Sequence, residues 1–243
     1  MNNYNSNQII NVALVGHASS GKTILVDAML CSLDVINKVG SIENGTTISD
    51  YNDYEKESQH SMSLSLVHCE LSGKKVNIID APGYIDFQGE MKSALRVADI
   101  ALIVVNSANG VEMGTELAND YGCNELGKPR SFIINMIDNA QSDFNNSLEQ
   151  LKTRFGRSIF PFLIPVSEGE GFTQVADILR KKILTFNEKG AYEESPCNGE
   201  LNDKVDSLYE QLIELIAESD EELLEKYFEN GELSEDEIKG GLN

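Results

Sequence analysis

The 243 residues, 41% of them hydrophobic, suffice for one packed domain plus an insertion, and a net charge of −21 excludes a protein that wraps nucleic acid, DNA included, by its own charge. Four widely spaced cysteines (Cys31, Cys69, Cys123, Cys197) with no Cys-x-x-Cys pair exclude a disulfide framework and a zinc site. No apolar run is as long as a membrane span, and Met1 to Gln8 lacks the order of a signal peptide, so the expected location is the cytoplasm, with no membrane partner.

The first apolar run, Ile9–Val15, is brief, continuous and rich in β-branched residues, as are Val76–Ile79, Ile100–Val105 and Ser131–Ile137. Such runs suit strands buried on both faces of a largely parallel sheet. Helix-like segments follow them in turn: Lys22–Ser32, Gln88–Val97, Thr115–Leu126 and Ser147–Phe155. The alternation predicts an α/β three-layer fold whose ligand sits at the carboxyl ends of the strands. One gap breaks the rhythm, because Leu33 to about Gln59 is polar, with turn signals at Asn44-Gly45 and Asn52-Asp53. It reads as a long surface loop, a class that is often functional.

After Phe155 the character changes. Ile159–Val166 reads as a strand, Val175–Leu179 as a helix, and Asn187–Asn202 as a polar linker. Val205, Leu208, Leu212, Leu215 and Ile216 then recur at helical spacing, followed by Leu223, Leu224, Tyr227 and Phe228. Ser234 to Glu237 resembles a capping box opening one more helix, which the chain's end at Asn243 cuts short; the ending reads as a truncation.

Three motifs carry chemistry. Gly16-His17-Ala18-Ser19-Ser20-Gly21-Lys22-Thr23 matches G-x-x-x-x-G-K-[ST], and it follows a strand and opens a helix as that motif requires. Glycines let the backbone fold so that successive N–H groups face an anion, and the helix start adds its positive end. Lys22 would reach the β- and γ-phosphates, and Thr23 would set its hydroxyl on Mg²⁺. His17 carries no role of its own beyond membership of the loop.

Asp80-Ala81-Pro82-Gly83 closes the second run. An aspartate there can hold Mg²⁺ through water, and the Gly83 N–H can meet a γ-phosphate and swing when it leaves. Asn135-Met136-Ile137-Asp138 closes the fourth. The Asp138 carboxylate can accept two hydrogen bonds from guanine N1–H and its amino group, which adenine does not supply, at roughly 1.5–3 kcal/mol each.

In this order and spacing the three motifs resemble those of elongation factor G, and the likeness extends from about Ile9 to the last residues. The family's first switch ends in Arg-Gly-Ile-Thr-Ile, and without a gap Asp50-Tyr51 to Ser61-Met62 falls on it. Ser61 then takes the place of the switch threonine that binds Mg²⁺, with Ser63 a nearby substitute if the register differs. Asp80-Ala81-Pro82-Gly83-Tyr84 falls on Asp-Thr-Pro-Gly-His, so Tyr84 replaces the histidine that positions the attacking water; a phenol is poorly matched to that task near neutral pH. Tyr84 is either a slow catalytic group or a semi-buried aromatic. Met136 replaces a lysine whose stem covers the base. A closer match is the elongation-factor-G-like paralogue group, which tolerates serine in the switch and tyrosine after Pro-Gly.

The resemblance implies a P-loop fold with a GTP-binding core over residues 1–156 and an α/β insertion subdomain over 157–243. It implies GTP and GDP with Mg²⁺ as ligands, hydrolysis of the β–γ phosphoanhydride by water, and action on the ribosome in translation elongation. The Ser-Ala element that completes the family's guanine pocket has no counterpart before Asn243. A nucleotide-binding or ribosome-interacting module with little catalysis is the alternative from another class, and Asp138 disfavours an ATPase.

Overall fold

Successive side chains of a strand point to opposite faces of its sheet. Along β1 (Ile9–Gly16) both faces are covered: Ala13 and Val15 join one buried cluster with Ile79, Ala101 and Ile103, and Leu14 joins another with Ile78 and Val104. Covering on both sides is why the run is continuous and does not alternate. The computed structural model describes residues 4–156, 158–187 and 190–242, in two compact units that divide between Gln150 and Leu151.

In the first unit β1 is central. It pairs in parallel with β3 (Lys74–Asp80) on one side and β4 (Ile100–Asn106) on the other; β4 pairs in parallel with β5 (Arg130–Asn135). The sheet order is β2-β3-β1-β4-β5, with β2 (Ser65–Leu71) antiparallel to β3. Sequence reading gives no sign of β2, because it is an edge strand of mixed character whose Leu66, His68, Glu70 and Leu71 are exposed. Helix α1 (Lys22–Ser32) covers one face through Val26 and Leu30. The other is covered by α3 (Gln88–Val97) through Met91, Ala94 and Leu95, and by α4 (Met113–Asn119) through Ala118. The helix expected over Thr115–Leu126 thus starts at Met113, and its second half is a π-helical turn, Asp120–Glu125. The long polar loop holds a short helix, α2 (Asp53–Ser58). Strands β3 and β4 leave β1 on opposite sides, so a crevice opens at the carboxyl end of β1, where the phosphate-loop motif lies.

Helix α5 (Phe144–Phe155) carries the chain into the second unit. Residue 157, at the domain boundary expected from the sequence, lies outside the described residues. The unit has an antiparallel sheet in chain order, β6 (Leu163–Pro165), β7 (Gln174–Asp177), β8 (Lys182–Phe186) and β9 (Tyr192–Pro196). Two sequence expectations are corrected. Val175–Leu179, read as a helix, lies largely in β7: five residues, four of them apolar around Asp177, carry no periodicity that separates helix from strand, and here Val175 pairs with both Pro165 and Leu184. The supposed linker Asn187–Asn202 contains β9, whose side chains are all exposed and so leave no apolar pattern.

Helix α6 (Glu200–Ala217) follows and buries Val205, Leu212, Ile213 and Ile216. It packs against α7 (Glu221–Asn230) and α8 (Glu235–Gly241). Asp220 caps α7, accepting from the amides of Glu222 at 2.8 Å and Leu223 at 3.3 Å. The capping box read at Ser234 is present: Glu237 Oε2 accepts from the Ser234 amide at 2.9 Å, and Ser234 Oγ accepts from the Glu237 amide at 3.4 Å.

Candidate functional site

The loop between β1 and α1 turns by leaving the usual backbone regions: Ser19 has φ 60° and Gly21 φ 86°. At Gly21 a side chain is excluded twice over, because a Cβ there would lie 2.5 Å from Asn135 Nδ2. Asn135 Nδ2 donates to the Ser20 carbonyl at 2.9 Å, so the end of β5 is tied directly to the loop. Lys22, the first residue of α1, folds its ammonium back to donate to the carbonyls of Gly16 at 3.1 Å and His17 at 2.7 Å. Burial lowers the Lys22 pKa to about 8, against the carboxylates of Asp80 and Glu112, which favour the charged form. The His17 ring turns away from the loop, accepting at Nδ1 from the Gly114 amide at 3.2 Å with Nε2 facing Glu112. Gly83 comes from the other side. A Cβ on it would lie 2.5 Å from Lys22 Nζ and 2.6 Å from the Ala18 amide nitrogen, so the two loops meet there backbone to backbone.

Thr23 sits one residue further into α1 and donates its hydroxyl proton to Asp80 Oδ2 at 3.0 Å. Ser61 Oγ donates to Asp50 Oδ1 at 2.6 Å and lies 3.2 Å from Thr23 Oγ1. A hydroxyl has one proton, so once both are given to carboxylates the two oxygens face each other with lone pairs only. Cis ligands of an octahedral Mg²⁺ at about 2.0–2.1 Å would stand about 2.9 Å apart, close to this spacing. Asp80 Oδ1 is buried without a hydrogen-bond partner, and the Ser49 hydroxyl faces the same carboxylate outside hydrogen-bonding geometry. Burial raises the Asp80 pKa to about 6, with the Lys22 ammonium opposing, and burial also raises Asp50. A divalent cation would relieve both. The donor set therefore fits Mg²⁺. Ser63 is turned elsewhere, its hydroxyl 3.2 Å from Tyr54 Oη, so Ser61 is the hydroxyl that faces Thr23.

Two buried carboxylates that sequence reading passed over hold the long loop in place. Asp27 of α1 accepts from the amides of Gly40 at 2.9 Å and Ile48 at 3.2 Å. Glu55 of α2, 2% exposed, accepts from the amides of Met62 at 2.9 Å and Ser63 at 3.0 Å. Neither has a sequence signal, since an acidic residue in a polar stretch ordinarily reads as solvated.

The guanine-motif residues are placed less tightly. Met136 has φ 60°, its carbonyl accepts from Ser107 Oγ at 2.8 Å, and its Cε lies 3.2 Å from where a Gly21 Cβ would stand. Asp138 is exposed in the turn after β5, and among the described residues nothing hydrogen-bonds its carboxylate. Tyr84 is 44% exposed, with its ring against that of His60, centroids 4.9 Å apart.

A mostly parallel sheet, a phosphate-type loop at its switch point and a metal-suited pair of hydroxyls beside it define a P-loop nucleotide-binding protein. The chain matches the model of the Elongation factor Tu GTP binding domain over residues 7–238 and belongs to that GTPase family. It is also similar to a Thermus thermophilus protein solved by crystallography, with 34% identity and a TM-score of 0.90. The match covers 96% of this chain and 35% of that one, so this chain spans about a third of the longer protein.

Proposed function

We propose that the chain binds GTP and GDP with Mg²⁺ and hydrolyses GTP to GDP and phosphate, as the G domain of a translational GTPase resembling elongation factor G. The observation that carries this reading is the convergence of Thr23, Ser61 and Asp80 beside the Lys22 loop, with hydroxyl lone pairs turned on one another. The amides of the Gly16–Thr23 loop would hold the phosphates, His17, Ala18, Ser19, Ser20 and Gly21 through backbone, Lys22 through its ammonium. Thr23 and Ser61 would bind Mg²⁺ directly, and Asp80 through water. The metal's chemistry is to neutralise charge on the β- and γ-phosphates. Gly83 would offer its amide to the γ-phosphate, Asn135 and Met136 would line the base, and Asp138 would select guanine. Residues 157–243 would be the insertion subdomain of that G domain, and the ribosome its site of action, in translation elongation.

A binding module with little catalysis is the second reading, favoured by the phenol at Tyr84. Single-turnover hydrolysis of bound GTP, alone and with bacterial ribosomes, separates the two. The binding site itself is tested by Lys22→Ala. Loss of the buried ammonium is expected to weaken GTP by a hundredfold or more, on the order of 3 kcal/mol for a charge-assisted contact. Unchanged affinity for the variant would refute the assignment.

A further inference from the structure

The segment that brings Ser61 to Thr23 carries a histidine next to Ser61, and its ring packs on Tyr84. On the family's Arg-Gly-Ile-Thr-Ile, Ser61 at the threonine places His60 on the isoleucine and Gln59 on the glycine. The backbone supports that register, because Gln59 has φ 58°, in the left-handed region that favours glycine. So the chain differs from the pattern at two places that touch. Histidine stands where the pattern has isoleucine, tyrosine stands where it has histidine, and the two rings lie 4.9 Å apart.

The His60 ring is oriented. Its Nδ1 lies 2.8 Å from the Ser58 carbonyl, which can only accept, so Nδ1 carries the proton and in the neutral ring Nε2 presents a lone pair. The ring is half-buried. The three residues that follow it are pinned, Ser61 by its hydroxyl to Asp50 and Met62 and Ser63 by their amides to Glu55. On the facing segment Gly83, next to Tyr84, abuts Lys22 and Ala18 of the phosphate loop.

We propose that His60 is the catalytic residue that orients the attacking water, its Nε2 accepting a hydrogen bond from that water, so that the histidine's task has moved from the position of Tyr84 to the first switch. The inference rests on the GTPase reading above. In the reaction the water oxygen bonds to the γ-phosphorus as the bond from γ-phosphorus to the bridging oxygen breaks, and that electron pair leaves on GDP. One water proton stays on the new phosphate hydroxyl, held toward His60 during attack; the other passes to a γ-phosphate oxygen, giving dihydrogen phosphate. Tyr84 is then the packing surface that holds the imidazole.

The test is single-turnover hydrolysis of prebound GTP by the full chain, with bacterial ribosomes present and absent, alongside GTP affinity. His60→Ile is expected to slow cleavage at least tenfold with GTP affinity within twofold of wild type. His60→Gln, which keeps an acceptor, is expected to fall between. Adding Tyr84→His to His60→Ile is expected to restore at least part of the rate, an effect that a packing role for His60 would not produce. A His60→Ile variant that cleaves GTP at the wild-type rate overturns the proposal and leaves the GTPase reading standing. A wild-type chain that binds GTP but never cleaves it, even with ribosomes, overturns both.

Discussion

Asp138 stands apart from the rest of the site, exposed and without a hydrogen-bond partner among the described residues, which leaves both carboxylate oxygens free to accept. Asp138→Asn replaces one acceptor by a donor, and at roughly 1.5–3 kcal/mol per charged hydrogen bond guanine preference should fall by about tenfold or more. Xanthosine triphosphate should gain relative to GTP in a competition titration; an unchanged ranking would contradict the role. Glu55 acts on backbone and not on ligand. Glu55→Ala leaves the Met62 and Ser63 amides without their acceptor, a loss of about 1–3 kcal/mol for buried groups. Hydrogen exchange at those two amides should quicken at least tenfold, with exchange in β1 unchanged. At this scale the sequence was legible where a residue type has one use in a fixed pattern, as with Lys22 and Asp80. It was silent on Glu55 and Asp27, whose hydrogen bonds depend on which amides the fold brings to them, and on His60, whose proposed role depends on the ring it meets.

Elements were legible in proportion to how completely they are buried. β1, β3 and β4 lie inside the sheet and read as apolar runs, as does the edge strand β5, half-buried along its length, whereas β2 and β9 expose most of their side chains and left no pattern. The start that moved, at α4, and the segment read as a helix that is strand β7 were decided by packing and pairing. The start of α8 is the opposite case, a local signal that the structure reproduces, and it makes a pH prediction. Hydrogen bonds from the Ser234 hydroxyl and amide, with Lys226 adding an ion pair, hold the Glu237 carboxyl down at about 2. A depressed folded-state value means that the stabilisation is complete above the ordinary glutamate range and is lost as pH falls from about 4.5 through 2. The α8 amides in an NMR titration should therefore shift with an apparent midpoint near 2, and Glu237→Gln should abolish that transition. A midpoint at the ordinary glutamate value would show that the capping box does not hold the carboxylate.

Across the whole molecule the same physics links charge, fold and ligand. A chain of net charge −21 has no general attraction for a nucleoside triphosphate, so binding must come from local features: converging amides, one buried ammonium and a cation that bridges protein and phosphate. In the proposed reading Lys22, Thr23 and Asp80 would supply these at the crevice beside β1, where the sheet's strand order brings them together. The central claim is that this crevice takes guanine nucleotides with Mg²⁺, and it is tested most directly by titrating the chain with fluorescent GDP, with and without Mg²⁺, in competition with GTP and ATP. Displacement by GTP but not by ATP, with GTP tightened by Mg²⁺, is the predicted result. Equal displacement by ATP, or no binding under any condition, would contradict it.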